Sequence, residues 1–291
     1  MIDLEPLQEL VTFQKYGTLS ATAEHLLITQ PTVTRKMKKL EQELGVTLFN
    51  RQVSNHITLN DTGILAANEA QKLLAAEQNF TEKVLNYDRL KNEITVGTVA
   101  PGPTRFLEHI QEQFKMNLKI NHELVKPEDV INDLHTLKEK LIFTNQEIST
   151  DDIESMYLGI EYLGVGIDKF NPLSQRESVS FGDLQGLSFI LMSDIGPWQK
   201  VVEDNIPHAS FFYQEDLKAL SQISRYSSFP FFFSNLTEAT SATTSRFDND
   251  NRNTVKINDP NNQIEFYGSY LKSERKNVQP LLKKLAQQWP E

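Results

Sequence analysis

The chain has 291 residues, no cysteine, and a net charge of −10 from 39 acidic and 29 basic residues. That length suits two or three folded units, and 39% hydrophobic with 9% aromatic content is enough to build cores, which argues against wholesale disorder. The missing cysteine excludes disulfides, thiolate metal sites and a cysteine nucleophile, and the charge excludes a polyanion-binding surface spread over the whole molecule while leaving room for a local basic one.

No apolar run approaches the roughly 20 residues needed to cross a bilayer. The start, Met1-Ile2-Asp3-Leu4-Glu5-Pro6, is acidic where a signal peptide would be basic. A soluble, cytoplasmic protein with no membrane partner is expected.

Leu4, Leu7 and Val11 mark a first amphipathic helix that Gly17 ends. Thr18 and Ser20 are candidate caps for a short second helix through Ala21, Ala23 and Leu26. Thr29 can cap a third helix, with Pro31 in its first turn, running to about Leu44 and stopping at Gly45. On that helix Val33, Met37 and Leu40 share a narrow sector, while Pro31, Thr34, Arg35 and Lys38 project from the opposite side. One face therefore buries and the other offers a hydroxyl, a guanidinium and an ammonium to solvent. Such a helix-turn-helix unit fits the DNA major groove, where arginine grips guanine edges or phosphate and lysine acts as a phosphate charge. The short β-prone runs around the Ser54-Asn55 turn predict a hairpin wing, with Arg51 and His56 within reach of phosphates or the minor groove.

Residues 1–60 carry six basic and six acidic residues, and Arg35, Lys36, Lys38 and Lys39 fall within five positions. A basic run on a helix is usually only a solvated face. The cap, the proline, the two-faced helix and the following hairpin together make DNA contact the better reading.

Asn60 caps the next helix, with Asp61 at its positive end. Ala66, Ala70, Leu73, Phe80, Val84 and Tyr87 recur at alternating spacings of four and three, interrupted by Glu77. A helix over 61–88 is about 42 Å long. Its stripe needs a partner, and a homodimer seam through Leu73, Phe80, Val84 and Tyr87 also sets two recognition helices a helical turn of DNA apart.

Beyond residue 91 strands and helices alternate, which predicts a parallel sheet. Expected elements are strands at 94–99, 119–125 and 140–144 and helices capped by Thr104 and around Val130 to Leu137. A second series has strands at 162–167, 189–192, 210–213 and 229–233 and helices at 198–205 and 217–223. The run Phe229-Pro230-Phe231-Phe232-Phe233 reads as a buried parallel strand with the proline at its end or edge. Thr237 to Asn262 reads as a long polar loop with at most a short element. A strand at 264–271 and a helix at 278–287 close the chain.

Residues Thr18 to Leu26, Thr29-Gln30-Pro31-Thr32-Val33-Thr34-Arg35, Leu40 to Arg51 and Leu59-Asn60-Asp61-Thr62-Gly63 resemble the winged helix-turn-helix of LysR-type transcriptional regulators. The spacing from the alanine-rich helix to Leu48-Phe49-x-Arg51 is kept without gaps. Asn60-Asp61 stands where the family often has Thr-Pro, and asparagine caps as well. The resemblance implies an α/β chain: a winged helix-turn-helix over 1–60, a linker and dimerisation helix over 61–90, and a two-lobed, periplasmic-binding-protein-like effector domain over 91–291. Lobe 1 takes about 91–161 and 268–291, and lobe 2 about 162–267. The candidate DNA-contacting set is Thr18, Ser20, Gln30, Pro31, Thr32, Thr34, Arg35, Lys38, Arg51 and His56. The resemblance assigns an effector pocket to Thr98, Ala100, Pro101, Gly102, Thr144, Asn145, Ser193, Asp194 and Ser234. Pro101 and Gly102 stand where the family often offers hydroxyls, and with Asp194 they point to a polar uncharged or cationic effector. Implied partners are double-stranded DNA, a second copy of the chain (with tetramers of dimers), a small-molecule effector and RNA polymerase.

The six histidines are scattered without metal-ligand spacing, Gly164-Val165-Gly166 lacks the third glycine of a dinucleotide loop, and no serine elbow or paired-carboxylate motif appears. No metal, cofactor or catalytic residue is expected. The rival readings are a solute-binding sensory protein whose first helices serve only assembly, and an enzyme with its site in the cleft.

Overall fold

The computed structural model describes residues 3–51, 57–90, 93–114, 116–241 and 251–290. The chain divides into two compact units, Met1–Leu85 and Asn86–Glu291.

In the first unit, α1 (Leu4–Tyr16), α2 (Leu19–His25) and α3 (Gln30–Leu44) surround a core of Leu7, Leu10, Phe13, Ala23, Val33, Met37 and Leu40. Asp3 caps α1, and Gly17, at φ 76°, closes it in a left-handed turn that a side chain would strain. Thr18 Oγ1 accepts from Ala21 N at 3.1 Å and caps α2. Thr29 makes no such bond; its hydroxyl pairs with Thr32 Oγ1 at 2.9 Å instead. Strands β1 (Phe49–Asn50) and β2 (Thr58–Leu59) pair antiparallel, so the feet of the expected hairpin are present. Its Ser54-Asn55 turn and His56 lie outside the described residues. The long helix α4 (Asp61–Leu90) follows, and Asn60 Oδ1 accepts from Gly63 N at 2.8 Å as its cap.

In the second unit the first sheet has the order β4-β3-β5-β13-β6, from β3 (Ile94–Thr98), β4 (Leu118–Ile120), β5 (Leu141–Thr144), β6 (Ile153–Glu161) and β13 (Ile264–Leu271). Its first three strands are parallel, as βαβ alternation dictates, and β13 runs antiparallel to β5 and β6. The wholly parallel expectation is thus corrected to a mixed sheet. Strand β6 carries no clean two-residue alternation, being buried at Ile153, Leu158 and Glu161, and the sequence pattern did not reveal it. The strand expected over 119–125 shortens to β4. Helix α5 (Pro101–Ile110) begins after Ala100, so Thr104 lies inside it and donates to Pro101 O at 3.2 Å rather than capping it. Helices α6 (Val130–His135) and α10 (Arg275–Gln287) complete this layer, the latter burying Val278, Leu281, Leu282 and Leu285.

After Glu161 the chain enters a second system. Strand β7 (Leu163–Asp168) lies between β11 (Phe231–Ser234) and β12 (Arg252–Ile257), antiparallel to both, and β8 (Ser178–Val179) adds parallel to β12. The phenylalanine run is therefore an antiparallel edge strand that starts just after Pro230, as the ring's missing N–H requires. Strands β9 (Ser188–Met192) and β10 (Ser210–Gln214) pair parallel, flanked by α7 (Pro197–Asn205) and α8 (Leu217–Tyr226). Helix α9 (Asn235–Ser241) and β12 both fall in the stretch expected to be one polar loop. β12 forms because Val255 and Ile257 bury one face while Thr254 and Lys256 stay exposed.

Two asparagines knit the crossings. Asn235 accepts from Tyr162 N at 3.1 Å and donates to Ile160 O and Pro290 O, and Asn262 exchanges bonds with both backbone groups of Leu163. The return crossing comes before Ile264, ahead of the residue 268 expected from sequence.

Glu139, on the approach to β5, is buried at 4% exposure. Asn121 Nδ2 donates to its Oε1 at 3.2 Å, while Oε2 meets no partner among the described residues. Burial, more than the neighbouring Asp133, pushes this carboxyl up to about 7. Because the folded chain holds this proton more tightly than the unfolded one, stability falls as pH rises from about 4.5 to about 7. Glu139→Gln should remove that fall and gain at most roughly 3 kcal/mol at pH 8, read by urea denaturation at pH 5 and pH 8. An unchanged pH dependence would show that Glu139 ionises as in water.

Candidate functional site

The packing of α3 sorts its basic side chains. Lys36 turns back toward α1, with Nζ 2.7 Å from Glu5 Oε2 and 2.9 Å from Glu9 Oε1. Those hydrogen bonds raise the Lys36 ammonium above its usual range. Arg35, Lys38 and Lys39 remain exposed. With Gln30, Pro31, Thr34 and Gln42 they line one shallow groove along the helix, while Val33, Met37 and Leu40 are buried beneath. Ser20 Oγ donates to Gln30 Oε1 at 3.0 Å, fixing the end of α2 that faces the start of α3. Thr34 donates to Gln30 O at 3.0 Å within its own helix.

Arg51 is engaged within the chain. Its Nη2 lies 2.5 Å from Glu41 Oε2, and its guanidinium sits over the Phe49 ring at 5.7 Å. Glu41 also accepts from Leu48 N at 2.8 Å. Burial alone would raise the Glu41 carboxyl, but the Arg51 and Leu48 bonds outweigh it, and the net shift is downward. Arg51 is thus a clip holding the hairpin foot to α3.

On α4, Leu73, Phe80, Val84 and Tyr87 are all exposed, at 49%, 70%, 53% and 57%. Large apolar groups of one stripe are thus left exposed on the single chain.

In the second unit the expected effector residues divide between two hollows. Pro101, Gly102 and Ser234 line a cavity of about 110 Å³ together with Arg105, Glu161 and Trp198. Asn145 and Asp194 line a second hollow with Val99, Lys126 and Gly196. The Thr98 hydroxyl is buried and spent on its own turn: it donates to Ala100 O at 2.5 Å and accepts from Ala100 N at 3.2 Å. Thr144 is likewise engaged by Ser269 Oγ and Gln146 O, and Ser193 donates to Gln214 O. These three hydroxyls are thus engaged in the loops that carry them.

The centre of the first cavity is Glu161, at 2% exposure. Its Oε2 accepts from Trp198 Nε1 at 2.8 Å and its Oε1 from Ser234 Oγ at 2.6 Å. Desolvation raises this carboxyl, opposed by those two bonds and by the charge of Arg105. Sequence reasoning missed Glu161, Trp198 and Arg105. The available signal was a single carboxylate inside the apolar run from Leu158 to Val165.

Residues 4–64 match the lysR family of bacterial regulatory helix-turn-helix proteins. The helix-turn-helix of this chain is therefore similar to that of lysR-family regulators. The HTH-type transcriptional regulator YtlI of Bacillus subtilis (strain 168) is 26% identical over 216 residues, 70% of this chain and 67% of YtlI. BsdA of the same organism is 32% identical over 103 residues, 35% of this chain and 34% of BsdA, so that match spans only about a third of its length. A full-length OxyR variant from Pseudomonas aeruginosa shares the fold with a TM-score of 0.52 at 17% identity, over 98% of this chain and 100% of that one. That likeness shows the fold, a helix-turn-helix followed by a two-lobed α/β part.

Glu41→Ala should cost this domain about 1–3 kcal/mol, since it strips a buried N–H of its acceptor and frees Arg51. Thermal denaturation followed by circular dichroism measures the loss. Because the Glu41 carboxyl is held low in the folded state, its contribution is present above the usual carboxylate range and fades as pH falls below it. Equal stability of variant and parent at pH 7 would remove the clip from the account.

Proposed function

We propose that this chain is a sequence-specific, DNA-binding transcription regulator that acts as a homodimer and answers to a small molecule bound between the lobes of its second unit. The observation that carries the reading is the two-faced α3, whose buried Val33-Met37-Leu40 side forces Gln30, Pro31, Thr34, Arg35 and Lys38 outward. An α3 so presented enters the major groove with Arg35 toward base edges or phosphate and Lys38 toward phosphate. Thr18, Ser20 and Thr32 flank it near the backbone. Lys39, also exposed, joins the set, and Arg51 belongs to it from its bond to Glu41.

The relatives are named as transcriptional regulators, which favours this reading over a solute-binding sensor or an enzyme. The stripe Leu73, Phe80, Val84 and Tyr87 supports the dimer, because a twofold partner covers the exposed apolar groups and matches two half-sites one helical turn apart. The Glu161 cavity, at the crossing between the two sheet systems, supports the effector site. No described helix is long and apolar enough to cross a membrane. Contact with RNA polymerase is a further part of the proposal.

Arg35→Ala should weaken binding to the operator by about 1–3 kcal/mol with the fold intact. Fluorescence anisotropy on sites recovered by a genome-wide pull-down of bound DNA provides the measurement. Parent-like affinity would mean α3 is turned the other way. Phe80→Asp should place charge in the seam and shift the protein toward monomer. Light scattering that shows an unchanged mass would refute the seam.

A further inference from the structure

This inference rests on the reading of the Glu161 cavity as the ligand site and concerns what that site admits. Most of its wall is apolar: Leu163, Ile190, Met192, Val202, Leu220 and Phe231. A cavity of about 110 Å³ is on the scale of a single small ring, since an engineered apolar cavity of roughly 150 Å³ holds benzene.

The polar groups are few and already engaged. Ser234 and Trp198 both donate to Glu161. The Glu161 carboxyl lies directly against Gly102, where any Cβ would come within 2.1 Å of Oε1. Gly102 is the second residue of α5, within Pro101-Gly102-Pro103. A helix N-terminus ordinarily seats anions through its free N–H groups. Proline has none, so of the first three helical residues only Gly102 carries a donor. The seat is thus short of two donors and covered by a side chain of the protein itself. On the other side Arg105 lines the same cavity; its charge opposes a cation and would draw an anion, but the seat beside Gly102 is filled by the Glu161 carboxyl, which lies within reach of that charge. Burial also drives the Glu161 carboxyl toward its neutral form.

We propose that this cleft selects a small, uncharged, mostly apolar molecule, and that Glu161 is the selectivity residue, occupying as a tethered carboxyl the place where a free carboxylate would bind. This replaces the polar or cationic effector expected from Asp194, which lines the other hollow. Glu161 also joins the lobes, because Gly102 belongs to one and Trp198 and Ser234 to the other.

The test uses the full chain and three probes of near-equal size: toluene, benzylamine and benzoate. Calorimetry and thermal shift should show toluene binding at least tenfold more tightly than either charged probe. Met192→Trp, which fills the cavity, should abolish that binding. Glu161→Ala should be less stable than the parent and regain melting temperature with propionate or propionamide, which can accept from Trp198 and Ser234, but not with propylamine, whose ammonium cannot. Should Glu161→Ala fail to fold, Glu161→Gln carries the test, binding toluene within about threefold of the parent and still discriminating against benzoate. Preference for benzoate or benzylamine, lost in Met192→Trp, overturns the selectivity while the cleft survives as a ligand site. No binding by any probe, or binding that persists in Met192→Trp, overturns the cleft reading itself.

Discussion

Burying a carboxylate costs several kcal/mol unless donors meet it, and this chain places such groups at the seams where its elements must join. Glu9, at 2% exposure, meets Lys36 between α1 and α3. Glu41 takes the Leu48 N–H and the Arg51 guanidinium between α3 and the hairpin foot. Glu161 takes one donor from α7 and one from β11 while lying against the start of α5. Each seam fixes a geometry that apolar packing alone leaves free, because hydrophobic contact is non-directional and a hydrogen bond is not.

That constraint explains how the exposed basic face of α3 is made. Four basic residues within five positions would spread charge around α3, yet Lys36 is drawn toward the α1 seam, which leaves Arg35, Lys38 and Lys39 as the exposed ones. Arg51 is likewise engaged, by Glu41, while its side chain stays 42% exposed. What remains is a narrow basic face on a chain whose total charge is −10. A local positive strip on a negative body favours docking by that strip and disfavours other orientations on DNA.

In the second unit the buried carboxyl sits at the crossing between two sheet systems, and Asn235 and Asn262 hold the crossing strands beside it. A ligand bound there, as proposed, would have leverage only through a difference in affinity between two states of that crossing. A cavity whose polar atoms are already paired derives that difference from apolar contact and shape, and its response is expected to be little affected by salt.

Periodicity alone determined the helices of the first unit and the face that each buries, since Val33, Met37 and Leu40 recur at the period of a helix whatever lies around them. It also determined most strand positions in the second unit, where apolar runs lie between turn residues. Only the tertiary structure decided strand direction, the existence of β6, and which polar residues meet. The antiparallel setting of β11 and β13 depends on chain reversals far away in sequence, and β6 lacks the alternation that would announce it because its partner strand and Trp289 cover its faces unevenly. The pairing of Glu161 with Trp198 and Ser234 spans 37 and 73 residues. No local pattern encodes a contact of that range, because its donors are chosen by how the lobes close on one another.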